Sequence, residues 1–124
     1  MNFLLHSKRG DGIFLADRLL QEGHEAVVYI DDKRARDVGE GLFPKVDNWQ
    51  KYVGQHNPIV LFDSVGYGSL ADKLRSSGLL VIGASEVMDN LELNPAYGKA
   101  VMSRYDIRIP EEFIEGIELS TEAW

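Results

Sequence analysis

Three short stretches carry residue types that could do chemistry. The first is Ser7-Lys8-Arg9-Gly10-Asp11-Gly12, which puts two glycines, a hydroxyl and two cations into one loop. Gly10-x-Gly12 lets backbone approach an anion closely, and a helix that follows offers free N–H groups at the positive end of its dipole. Ser7, Lys8, Arg9, Gly10 and Gly12 are therefore the candidate cradle for a substrate phosphate. The pattern is followed by Ala16 and does not complete G-x-G-x-x-G. The same glycines also serve a tight strand-to-helix turn whose cations are merely solvated. Both readings stand at this point.

The second stretch is Asp63-Ser64-Val65-Gly66-Tyr67-Gly68. Ser64, the amides of Gly66 and Gly68, and Tyr67 are suited to grip a small polar ligand; the plain alternative is a glycine-rich connection. The third is Asp31-Asp32, about twenty residues beyond the glycine loop, where an acid in dinucleotide-binding folds holds a ribose hydroxyl. A solvated strand end is the simpler reading of the pair. Asp63 also stands where a receiver domain keeps its phosphoacceptor, but that reading needs an acidic pair where this chain has His6-Ser7-Lys8-Arg9. It also needs a lysine after a fifth strand, and it is rejected. His6, His24 and His56 lack metal-ligand spacing. No nucleophile–base arrangement is recognisable, so no metal site and no catalytic residue is assigned.

The elements that must position these residues follow from hydrophobic periodicity. Phe3-Leu4-Leu5 reads as a strand, and Ile13, Leu15, Ala16, Leu19 and Leu20 cluster on one face of a helix that Gly23 ends. Ala26–Ile30 is a near-continuous apolar run, as expected of a parallel strand covered on both faces. Lys33–Val46 reads as a loop with one helical turn at Lys33–Val38. Asp47 is the expected N-cap of a two-turn helix that Asn57-Pro58 breaks. Ile59–Phe62 is the third strand, Ser69 the expected cap of a helix over Leu70–Ser77, and Leu79–Ile82 the fourth strand. Ser85 caps a helix to about Leu91, and Asn94-Pro95 opens another from Ala96 to about Tyr105. Ile107–Pro110 reads as a connector, Glu111–Ile114 as a strand, and Glu118–Trp124 as the opening of a helix.

Four strands with helices between them predict a doubly wound parallel α/β sheet of about four strands with flanking helices. In such a sheet the Asp63–Gly68 loop lies beside the first loop if strand order reverses between strands one and four, and ligands bind at that crevice. Residues 1–108 are expected to form this Rossmann-like unit, with 109–124 the connector into a further domain.

Composition bounds the partners. With 13 basic and 20 acidic residues, a formal net charge of −7, the surface repels nucleic acid and anionic membranes. The chain has no cysteine, which excludes disulfides and thiolate metal sites and suits a reducing compartment. No apolar run approaches the roughly 20 residues of a membrane helix, and MNFLLHSKR is charged too soon for a signal peptide. A cytoplasmic location is expected.

Leu79-Leu80-Val81-Ile82-Gly83-Ala84-Ser85, then Met88, Leu91-Glu92, Lys99, Met102, Arg104-Tyr105 and Ile109-Pro110 resemble a run in the phosphoribosylamine–glycine ligases (glycinamide ribonucleotide synthetases). The resemblance covers most of Phe3–Phe113 and is most specific from the Lys99 helix to the connector. It implies the N-terminal, pre-ATP-grasp domain of a carboxylate–amine ligase. Such a ligase makes an acyl phosphate from ATP with magnesium and belongs to purine biosynthesis. By that resemblance this domain holds a phosphorylated small molecule, Lys99 reaches toward the nucleotide, and most ATP and Mg²⁺ ligands lie in a downstream ATP-grasp domain. The chain alone would then not catalyse ligation. Both substrate loops differ from the family: Ser7–Gly12 lacks its Gly-Arg-Glu-His run, and Asp63–Gly66 its Pro-Glu pair. A ligase with another carboxylate or amine fits those differences. The alternative is a stand-alone nucleotide-binding or regulatory module that uses Asp31 on a ribose.

Overall fold

A computed structural model describes residues 1–109. The strand and helix expected within Glu111–Trp124 lie outside the described residues. The strands are β1 (Asn2–Ser7), β2 (Glu25–Ile30), β3 (Ile59–Phe62) and β4 (Val81–Ile82). The helices are α1 (Ile13–Gln21), α2 (Trp49–His56), α3 (Gly68–Ser76), α4 (Glu86–Leu93) and α5 (Pro95–Arg104). All strand pairs are parallel, in the order β2-β1-β3-β4. This is the doubly wound α/β architecture expected of the apolar runs. The order reverses between β1 and β3, not between strands one and four, so the loops after β1 and β3 are immediate neighbours.

Strand alternation divides the core in two. Phe3, Leu5, Ala26, Val28, Ile30 and Leu61 point to one face, where Ile13 and Ala16 of α1 cover them. Leu4, Tyr29 and Val60 point to the other, against Trp49, Tyr52 and Val53 of α2 and Leu74 of α3. Each fully buried aliphatic chain here contributes about 1.5–3 kcal/mol.

Helix starts follow local acceptors where one is available. Asn48, not Asp47, caps α2, its side chain accepting from the Lys51 N–H at 2.8 Å. Ser85 and Asn94 cap α4 and α5 as expected. The single turn after β2 is a 3-10 turn at Lys33–Ala35, capped by Asp32. At α3 the Ser69 cap is absent: the helix begins at Gly68, whose N–H is taken by Asp89 of α4. A Cβ at Gly68 would overlap the Ser85 carbonyl, so glycine permits this close approach of α3 and α4.

The sheet margins differ. Beside β2, Pro44 accepts from the Val28 N–H at 2.9 Å and the Val46 N–H donates to the Val28 carbonyl at 3.0 Å, a parallel bridge of one residue. On the opposite margin β4 is two residues long where four were expected, and no described segment pairs with its outer side.

Candidate functional site

Ser7 ends β1 on the α1 face, and Asp63, two residues beyond Leu61, falls on that same face. The Ser7 hydroxyl donates to Asp63 Oδ2 at 2.6 Å, and the Gly12 N–H donates to the same oxygen at 2.7 Å. The Ser64 hydroxyl donates to Asp63 Oδ1 at 2.8 Å, and the Gly10 N–H to Ser7 Oγ at 2.7 Å. Gly12 is the N-cap of α1, so the Asp63 carboxylate sits at the positive end of the helix dipole. Gly10 has φ +91°, and a Cβ there would come within 2.8 Å of Val38. A Cβ on Gly12 would come within 2.8 Å of Asp63. Both glycines are set by these close approaches.

Above this joint lies a cleft of about 460 Å³, with Lys8, Arg9 and Asp11 on one side, Asp63 and Ser64 on the other, and Glu92 of α4 closing it. Arg9 also reaches Asp32, Nε to Oδ2 3.5 Å. Asp32 is gripped harder by Arg34, 2.8 Å from Nη2 to Oδ2. Hydrogen bonds from the Arg34 side chain and N–H, with Arg9 nearby, hold the Asp32 carboxyl well below the usual carboxylate range.

The Asp63–Gly68 loop leaves the cleft by crossing over β1. Gly66 adopts φ +97° and Tyr67 lays its ring on His6, 4.8 Å between centroids. The Tyr67 hydroxyl donates to Asp31 Oδ2 at 2.9 Å, and Tyr29 donates to Oδ1 at 3.2 Å. Both phenols are pushed above their ordinary pKa, first by burial and then by the Asp31 charge. Beneath them His6 is 2% exposed, walled by Tyr29, Trp49, Phe62 and Tyr67. Its Nδ1 has no partner among the described residues, and burial lowers its pKa despite the opposing pull of Asp31 and Asp63.

Glu92 is positioned by a joint between α3 and α4. Asp72 accepts from the Glu86 N–H at 2.9 Å and from Arg75 at 2.8 Å, and Arg75 donates to the Gly83 carbonyl at 2.6 Å. On its far side Glu92 lines a second groove of about 330 Å³, with Leu91, Pro95, Gly98, Met102 and Lys99. Lys99 is thus one residue, Glu92, away from the cleft of Lys8 and Arg9.

The structure therefore brings together Lys8, Arg9, Ser64 and, at the floor, Ser7, Gly10 and Gly12. Gly66 and Tyr67 lead away toward Asp31, and Lys99 stands in the adjoining groove. Sequence reasoning did not assign Asp63, Asp11 or Glu92 to this site. Strand alternation was the available signal for Asp63; for Glu92 there was none, because α3 places it. Among the described residues no group of three or more His, Cys, Asp or Glu could hold a metal ion, and no helix is long and apolar enough to cross a membrane. Comparison with protein-family models, curated proteins and solved structures found no match for the chain.

Proposed function

We propose that the chain is the substrate-side domain of an ATP-dependent carboxylate–amine ligase resembling phosphoribosylamine–glycine ligase, and that its cleft holds a phosphorylated small molecule. The observation that supports this best is the cleft of about 460 Å³ at the carboxyl ends of β1 and β3. There Lys8 and Arg9 stand together on one wall as the cations for an anion, with Asp11, Asp63 and Glu92 as the acids of the same lining. Ligands of open α/β sheets bind at this reversal of strand order. Lys8 and Arg9 take the phosphate, Ser64 borders the opposite wall, and Ser7, Gly10 and Gly12 shape the floor. Lys99 faces the nucleotide side across Glu92. ATP, when bound, supplies the phosphoryl group that activates a carboxylate; this domain holds and orients the partner molecule. On this reading the magnesium ligands belong to the downstream ATP-grasp domain that the resemblance implies.

Calorimetry with ribose 5-phosphate tests the reading. Wild-type chain should bind it, and Lys8→Ala with Arg9→Ala should weaken binding by about tenfold or more, since hydrogen bonds to charged groups contribute about 1.5–3 kcal/mol. Unchanged binding in the double variant overturns the assignment. Micromolar binding of NAD instead would favour a stand-alone nucleotide module. In that module a ribose hydroxyl on Asp31 would share its carboxylate with the Tyr29 and Tyr67 hydroxyls, which donate one hydrogen bond to each oxygen.

A further inference from the structure

Asp63 makes no ion pair among the described residues. Its negative charge is balanced by the Ser7 and Ser64 hydroxyls, the Gly12 N–H and the amino-terminal end of α1. These are the donors a helix-terminal loop would otherwise turn toward a bound phosphate. A carboxylate offers about four acceptor positions. Two on Oδ2 and one on Oδ1 are filled from the protein, and Asp63 lines the cleft.

We propose that Asp63 is a specificity-determining residue: its carboxylate is a resident anion that occupies the phosphate seat of α1 and turns one open acceptor toward the ligand. A phosphate on the glycine loop would meet a like charge with the loop's donors already engaged. The ligand's anionic group is consequently carried by Lys8 and Arg9 at the cleft wall, and a hydroxyl-bearing part of the ligand faces Asp63. Nucleotides gripped through a glycine loop are refused. The orientation of a phosphorylated ligand rests on the function proposed above; the occupancy of the seat does not.

Inorganic phosphate, titrated against the whole chain and followed by calorimetry and by the amide resonance of Gly12, tests the inference. In wild type the Gly12 resonance should not move. In Asp63→Ala the freed Gly12 N–H and Ser7 hydroxyl should bind phosphate about tenfold tighter or more, with a shift at Gly12. Asp63→Asn keeps the shape and removes the charge, so it remains informative if the alanine variant fails to fold. It should gain at least about threefold from the lost repulsion. Phosphate affinity unchanged or reduced in the folded variants, or a Gly12 shift already present in wild type, overturns the inference. Should wild type ignore ribose 5-phosphate while the Asp63 variants gain phosphate, the seat stands and the substrate reading falls.

Discussion

The Tyr67 hydroxyl donates to Asp31 at 2.9 Å, and so ties the loop after β3 to the end of β2 across the strand between them. The ring shaft of Tyr67 also roofs His6 and stacks on Phe62, 5.5 Å between centroids. One side chain therefore fixes the loop both by a polar tip and by an apolar body.

Replacing Tyr67 by Phe separates the two. The ring stays over His6 and the bond to Asp31 is lost, at a cost of about 1 kcal/mol. A urea titration should show this loss, and hydrogen exchange at Gly66 and Gly68 should accelerate. An unchanged midpoint with unchanged exchange would remove the tie from the account.

His6 makes stability depend on pH. Its folded pKa lies below the ordinary 6.5 because burial disfavours the imidazolium. The unfolded chain therefore binds the extra proton first as pH falls, and stability declines from about pH 6.5 downward until the folded pKa is passed. The slope is at most about 1.4 kcal/mol per pH unit. Asp32 and Asp72 have depressed pKa values, so their contributions fade only at lower pH, below the ordinary carboxyl value of 3.8. His6→Phe, which leaves no unpartnered Nδ1 among the aromatic walls, should flatten the curve between pH 6.5 and 5. A wild-type urea midpoint that is level over that range would refute the assignment.

Two glycines should respond oppositely to alanine. At Gly68 the added methyl overlaps the Ser85 carbonyl and displaces α4, costing about 1–3 kcal/mol. At Gly54, within α2, nothing would lie within 4 Å of an added Cβ, and alanine should stabilise by about 0.5–1 kcal/mol through helix propensity. Thermal melts of the pair decide it; equal shifts would mean that the α3–α4 contact is not tight.

Arg9 is shared between the cleft and Asp32. Asp32→Asn keeps an acceptor for the Arg34 N–H while removing the charge that draws Arg9 back. Binding of ribose 5-phosphate should then strengthen roughly twofold to fivefold, as expected of releasing an exposed ion pair. The gain should shrink as salt rises. Weaker binding in the variant would show that Asp32 aims Arg9 at the ligand.

The strands were legible because their signal is local: Ile59-Val60-Leu61-Phe62 is the same four residues in the sequence and in the sheet. Helix starts were legible where the cap is a neighbour in sequence, as at Asn94, and missed at Gly68, whose N–H finds its acceptor 21 residues away. The fourth strand shrank to Val81–Ile82 because it pairs with β3 alone. Within the candidate site, the two loops could be read from their glycines. Asp63's bonds to Ser7 and Gly12 span 56 and 51 residues, and only alternation along both strands would have aligned them. The aromatic walls of His6 come from β2, α2, β3 and the following loop, a convergence that no single window contains.

The bridge of Lys45 on Val28 has a consequence for self-association. A strand edge with unpaired N–H and C=O groups is a template for another chain. With the middle of β2 already obstructed, β4 alone among the described strands remains as such a template, with exposed Ile82 on it and exposed Leu80 just before it, at 62% and 68%. Continuous fibrils need two templating edges per molecule. A sheet with one can form a back-to-back pair about a two-fold axis and then stops.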